Sequence, residues 1–176
     1  MEMHLFAQAA EEEYDPDPDY HSKEKAVEDA YKFYKVGQGR WGTNEVKLFK
    51  IVVLAPRKHL EAINKAYADK CGYTLVKAME KELSGTATKA AIFTCNMKLK
   101  PYEAISSLIK SACTGIGTDD FLLTCCVIRY QTLMEQVIFF HGEMFGKSVH
   151  DRVRSECTGN YKKILLALLS KTFPEN

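Results

Sequence analysis

The stretch Cys71-Gly72-Tyr73-Thr74-Leu75, closing at Glu82-Leu83-Ser84-Gly85, lines up without a gap on Phe145-Gly146-Lys147-Ser148-Val149, closing at Glu156-Cys157-Thr158-Gly159, 74 residues further on. Upstream, Arg40-Trp41-Gly42-Thr43-Asn44 matches Gly115-Ile116-Gly117-Thr118-Asp119 at an offset of 75. The second copy has therefore lost one residue between the two landmarks, and the spacing puts the loss near the end of its second helix, around Ile128 and Arg129. Self-similarity at a fixed period marks repeated supersecondary units. Two copies of one unit account for most of the 176 residues.

Inside each unit the apolar period is helical and strand signals are absent. Ile105, Leu108, Ile109 and Ala112 recur at i, i+3, i+4 and i+7, and Leu60, Ile63 and Tyr67 follow the same rule. The punctuation predicts five short helices per unit: 23 to 36, 43 to 54, 57 to 70, 73 to 82 and 86 to 96, then 101 to 113, 118 to 129, 131 to 142, 147 to 156 and 160 to 171. Pro101 opens a helix where its missing N–H costs nothing, and Thr43 and Thr118 are candidate N-caps. The fold class is all-α, with units at 21–98 and 99–176. Residues 1–20 differ: His4 to Ala10 reads as a helical stub and Tyr14-Asp15-Pro16-Asp17-Pro18-Asp19 as an acidic linker, because a residue before proline is pushed out of the helical region.

Composition excludes some classes. The apolar runs, such as Ile164 to Leu169, reach about six residues against the ~20 needed to span a bilayer, and no secretion signal is recognisable, so a cytoplasmic protein is expected. The six cysteines lack CxxC spacing and are expected to be reduced thiols, with Cys125 and Cys126 in a core, although a regulatory disulfide is the open alternative. The five histidines show no paired ligand spacing. No cysteine is combined with a recognisable base and oxyanion turn, so no enzyme is expected. Residues 1–19 hold seven acids and no Lys or Arg; setting these aside, the net charge of +1 becomes +8 for the remainder. A basic body attracts anionic lipid or nucleic acid alike. Here the cations are dispersed with little aromatic interleaving, so nucleic acid is not the expected partner.

The candidate chemistry sits at two helix ends. In each unit the first helix runs out into a glycine-bearing turn (Gly37, Gly39, Gly42; Gly115, Gly117), whose carbonyls have no helical partner. The fourth helix closes at Glu82 or Glu156, just before Gly85 or Gly159. Oriented carbonyls plus one carboxylate and waters supply the six to eight hard oxygens that Ca²⁺ takes, an arrangement too loose for Mg²⁺.

These residues resemble the annexin family. G-x-G-T-[DN]-[DE], followed about forty residues later by an acid and a small-Gly pair, is similar to that family's type II calcium site. Trp41-Gly42-Thr43, Val27-Glu28-Asp29-Ala30-Tyr31-Lys32-Phe33-Tyr34 and the Asp15-Pro16-Asp17 connector look like its third repeat and the approach to it, and Asn160-Tyr161-Lys162-Lys163-Ile164-Leu165-Leu166 like its fourth. The likeness covers roughly residues 5–171. It implies two tandem repeats in a right-handed superhelical bundle, forming part of a curved slab.

By position, the resemblance implies a first calcium site from the carbonyls of Gly37, Arg40 and Gly42 with Glu82, and a second from those of Cys113, Gly115 and Gly117 with Glu156. The second departs from the pattern in its shortened spacing and in having Glu where Asp is usual. In the first unit Ala55 and Pro56 stand where the family usually has an arginine after its second helix; Arg57 is near enough to compensate, and Arg129 keeps the role in the second unit. Arg40, Trp41 and Ile116 are the expected membrane contacts. For Trp41 the competing reading is a ring folded under its loop as a plug, and for Glu82 and Glu156 it is a solvated helix end. The implied function is peripheral, reversible, calcium-dependent binding to anionic phospholipid at the cytoplasmic face of membranes. The alternative is a calcium-independent structural protein that binds cytoskeletal filaments. Both units would lack the neighbours that complete a four-repeat core, so either a homodimer or further annexin repeats are expected to cover the apolar surface.

Overall fold

The computed structural model describes residues 22–38, 45–82, 84–115 and 117–172. The stub and linker of residues 1–20 lie outside them. The described chain is helical and divides into two compact units between Leu99 and Lys100.

The first unit comprises α1 (Lys23–Gln38), α2 (Glu45–Leu54), α3 (Arg57–Cys71), α4 (Leu75–Glu82) and α5 (Thr86–Leu99). Ser22 starts α1 by accepting from the Lys25 amide at 3.0 Å. Along α1, Ala26, Ala30 and Phe33 share one stripe and are buried, with Phe33 edge-on to Tyr67 of α3 at 5.5 Å between ring centroids. The two helices are also joined by polar groups: His59 lies 3.0 Å from the Asp29 carboxylate, which Lys25 and Lys32 approach at 3.2 and 3.1 Å. Burial would raise the pKa of Asp29, but its hydrogen bonds to His59, Lys32 and Lys25 outweigh that and hold it below the usual carboxylate range. The unit's core includes Leu48, Val52, Leu60, Ile63, Leu75 and Met79, each with essentially no exposure. Burying an aliphatic side chain of this size contributes roughly 1.5–3 kcal/mol.

The second unit comprises α6 (Pro101–Ala112), α7 (Asp120–Arg129), a single 3₁₀ turn (Gln131–Leu133), α8 (Met134–Phe145), α9 (Val149–Glu156) and α10 (Gly159–Thr172). Ile105, Ile109 and Ala112 of α6 are buried as their spacing predicts. Arg152 Nε of α9 donates to His141 Nε2 at 2.7 Å; that nitrogen must accept, so the ring proton is on Nδ1 and donates to the Ser106 carbonyl at 3.2 Å. One histidine thus links α6, α8 and α9.

The duplication is visible in the local geometry. Gly72 and Gly146, 74 residues apart, both take left-handed φ angles, +77° and +63°, to end the third helix of their unit. Thr74 and Ser148, at the same offset, both accept an amide of the following first turn, from Lys77 at 3.3 Å and from Asp151 at 3.0 Å. The residue lost from the second copy falls at the joint after the second helix, where Ala55-Pro56 is matched by Tyr130 alone. The 3₁₀ turn follows there, so the third helix of this unit becomes a turn plus Met134–Phe145 rather than one helix over 131–142.

Two expectations are corrected. The N-cap of α7 is Asp119, not Thr118: its carboxylate accepts from the Leu122 amide at 2.9 Å, and the Thr118 hydroxyl instead donates to Asp120. Arg57 Nε pairs with Glu61 at 2.9 Å. From α5, the Lys98 ammonium reaches the carbonyls of Val52, Val53 and Ala55 at 3.0, 2.6 and 2.8 Å. Those are orphan acceptors of a helix end, and three N–H donors satisfy three of them. Gly37 lies inside the last turn of α1 rather than in the turn beyond it.

Candidate functional site

In the second unit the turn from Cys113 to Asp119 is held at both ends. The Asp119 amide donates to the Ala112 carbonyl at 2.7 Å and closes the loop. Downstream, the Tyr161 hydroxyl of α10 donates to the Asp120 carbonyl at 2.8 Å and lies 3.0 Å from Thr124 Oγ1. Between these anchors Gly115 and Gly117 have φ of +115° and +87°. A side chain is strained in that region, which is why the turn needs glycine twice. Among the described residues, no backbone N–H donates to the carbonyl of Cys113, Gly115 or Gly117.

Glu156 ends α9 with its carboxylate partly exposed, 3.7 Å from Lys147 Nζ and 3.3 Å from Ser155 Oγ. Burial, then Cys157, pushes the Cys113 thiol up to about 11; Glu156 adds to the rise, while Arg152 and Lys147 oppose it. Burial, then Asp120, raises the Cys157 thiol as well, and Glu156 contributes there too. The end of α9 and both ends of the turn therefore lie within electrostatic reach of one another. Of the expected second site, Cys113 at the start of the turn and Glu156 at the end of α9 are close enough to influence each other electrostatically.

In the first unit only the frame is described. Gly37 is in the last turn of α1, so its carbonyl is among those left without a helical partner, and Glu82 is the final residue of α4. Arg40, Trp41 and Gly42, with Thr43 and Asn44, lie outside the described residues, as do Ile116 and the side chain of Glu82.

Among the described residues no three His, Cys, Asp or Glu side chains cluster to hold a metal. A turn of carbonyls with one carboxylate needs no such cluster: its donors are hard oxygens, which suit Ca²⁺ and not thiolate- or imidazole-seeking metals. The six cysteines are free, and all but Cys71 and Cys125 are buried. Burial raises the Cys126 thiol to about 12, as expected of a packing residue. Among the described residues no helix is long and apolar enough to cross a membrane.

Lys98 and Lys147 are the residues that sequence reasoning did not single out. Lys98 is separated by more than forty residues from the helix end it caps. Lys147 could have been noticed, because Tyr73 occupies its place in the first copy.

The fold and this turn define a class of repeat protein, and comparison with known proteins identifies it. Residues 28–92 match the family model for annexins. Mouse annexin A13 is 34% identical over 150 residues, which cover 84% of this chain and 47% of that protein. Mouse annexin A4 is 33% identical over 144 residues, covering 80% of this chain and 44% of its own length. Among solved structures, annexin III superposes with a TM-score of 0.80 at 23% identity over 94% of this chain and 52% of that one, and a calcium-bound annexin (Sm)1 with 0.73 at 21% identity over 86% and 41%. The chain belongs to the annexin family and is built of its all-α repeats. It spans about half the length of the curated relatives it matches.

Proposed function

We propose that this chain binds anionic phospholipid membranes in a calcium-dependent, peripheral and reversible manner. The observation that carries the proposal is the turn of Cys113 to Asp119, with its two left-handed glycines and, among the described residues, no backbone N–H on the carbonyls of Cys113, Gly115 or Gly117, and with Glu156 within electrostatic reach of Cys113. Ca²⁺ would be held by the carbonyls of Cys113, Gly115 and Gly117 with Glu156, and in the first unit by those of Gly37, Arg40 and Gly42 with Glu82. Bound there, it supplies positive charge and open coordination positions for lipid phosphate oxygens.

The chain's own residues do the rest. The hydrogen bonds from Asp119 to Ala112 and from Tyr161 to Asp120 fix the turn in advance, so little ordering remains to be done on binding. Trp41 and Ile116 would enter the lipid interface, the tryptophan burying its ring while its N–H stays wet. Arg40 adds about 1 kcal/mol of attraction to an anionic leaflet. The face engaged is the cytoplasmic one.

Sedimentation of the chain with phosphatidylserine-containing vesicles tests this. Pelleting with calcium and release by chelator are expected. Pelleting that persists in chelator, or co-pelleting with filaments in its place, overturns the proposal in favour of the structural alternative.

A further inference from the structure

The loop-facing end of α9 already holds a cation. Lys147 Nζ stands 3.7 Å from Glu156 Oε1 and donates to Ser155 Oγ at 2.5 Å. Ser155 Oγ in turn lies 3.3 Å from the same carboxylate oxygen. The ammonium also acts on the Cys113 thiol, where the turn begins. Its charge therefore lies at the carboxylate and within electrostatic reach of the start of the turn. In the first unit Tyr73 takes that position, and the nearby Lys81 lies over the Tyr73 ring, 4.0 Å from its centroid.

We propose that Lys147 is a tethered counter-ion that sets the calcium affinity of the second loop, so that metal enters only by displacing the ammonium from Glu156. This rests on the assignment of Glu156 as a calcium ligand. A divalent ion and an ammonium a few ångströms apart repel even in water, and the repulsion fades as salt screens it. The second loop then responds to calcium and ionic strength together. An exposed pair of this sort is weak by itself. Its weakness lets it tune an affinity without abolishing the site.

The test uses the full chain carrying Glu82→Gln, so that only the second loop titrates, with calcium binding followed by calorimetry. Lys147→Met is expected to tighten binding about threefold to tenfold at low salt, an advantage that disappears as salt is raised. Lys147→Arg keeps the charge and should leave the affinity of the parent. In the absence of vesicles, calcium should also shift the NMR signal of the Lys147 side-chain nitrogen as the pair opens. Equal affinity for Lys147→Met and parent overturns the proposal while leaving the second loop a calcium site, and so does equal tightening by Met and Arg. Failure of both the parent and its Lys147→Met derivative to take up calcium overturns the site itself, and the proposal with it.

Discussion

Lys98 shows how one side chain can cap a helix end from a distance. It is buried, and burial pulls its pKa down to about 8, yet its three carbonyl acceptors all favour the charged form. Replacing it by methionine keeps the packing volume but leaves those acceptors without donors. Lys98→Met should cost about 2–4 kcal/mol, read as a lower urea midpoint for the first unit. Asp29 is the other polar tie of that unit. Because its folded pKa lies below the value of a free carboxylate, its contribution is full above that value and is lost as pH falls through the folded pKa. Asp29→Asn should therefore destabilise the protein by about 2 kcal/mol at neutral pH and flatten the acid limb of its stability curve.

At the scale of elements, α9 depends on its cap. Ser148→Ala removes the acceptor for the Asp151 amide and should cost about 1 kcal/mol in thermal or denaturant unfolding. The histidine joining α6, α8 and α9 gives the second unit a pH limit. Burial, then the Arg152 guanidinium, pushes His141 down to about 4, against 6.5 for a free ring. Protonation thus favours the unfolded chain: stability is full above about pH 6.5 and is lost progressively as pH falls toward 4. A His141→Gln chain, monitored by circular dichroism across that range, should lose this dependence. The helices themselves were legible in the sequence because each was written twice, with glycines and hydroxyl caps at a fixed offset. What stayed hidden was non-local. Neither the capping of α2 by Lys98 nor the pairing of Arg152 with His141 leaves a periodic trace. Thr118 and Asp119 are both competent caps side by side, and only the geometry of the loop chooses between them.

For the whole chain, the two loops should act together on a membrane. Glu82→Gln and Glu156→Gln are each expected to raise the calcium concentration needed for vesicle attachment, and the double variant to abolish attachment while circular dichroism stays unchanged. The sequence singled out both glutamates from their setting, and in the second loop the glycines of the turn take left-handed φ angles, as a sharp glycine-bearing turn requires. The length difference between the two copies falls at the joint between Arg129 and Gln131. Length changes there act like slack in a hinge pin, taken up where one rod meets the next and not passed on to the parts each rod carries. An extra residue spliced in after Tyr130 should leave the second loop's grip on calcium as it was.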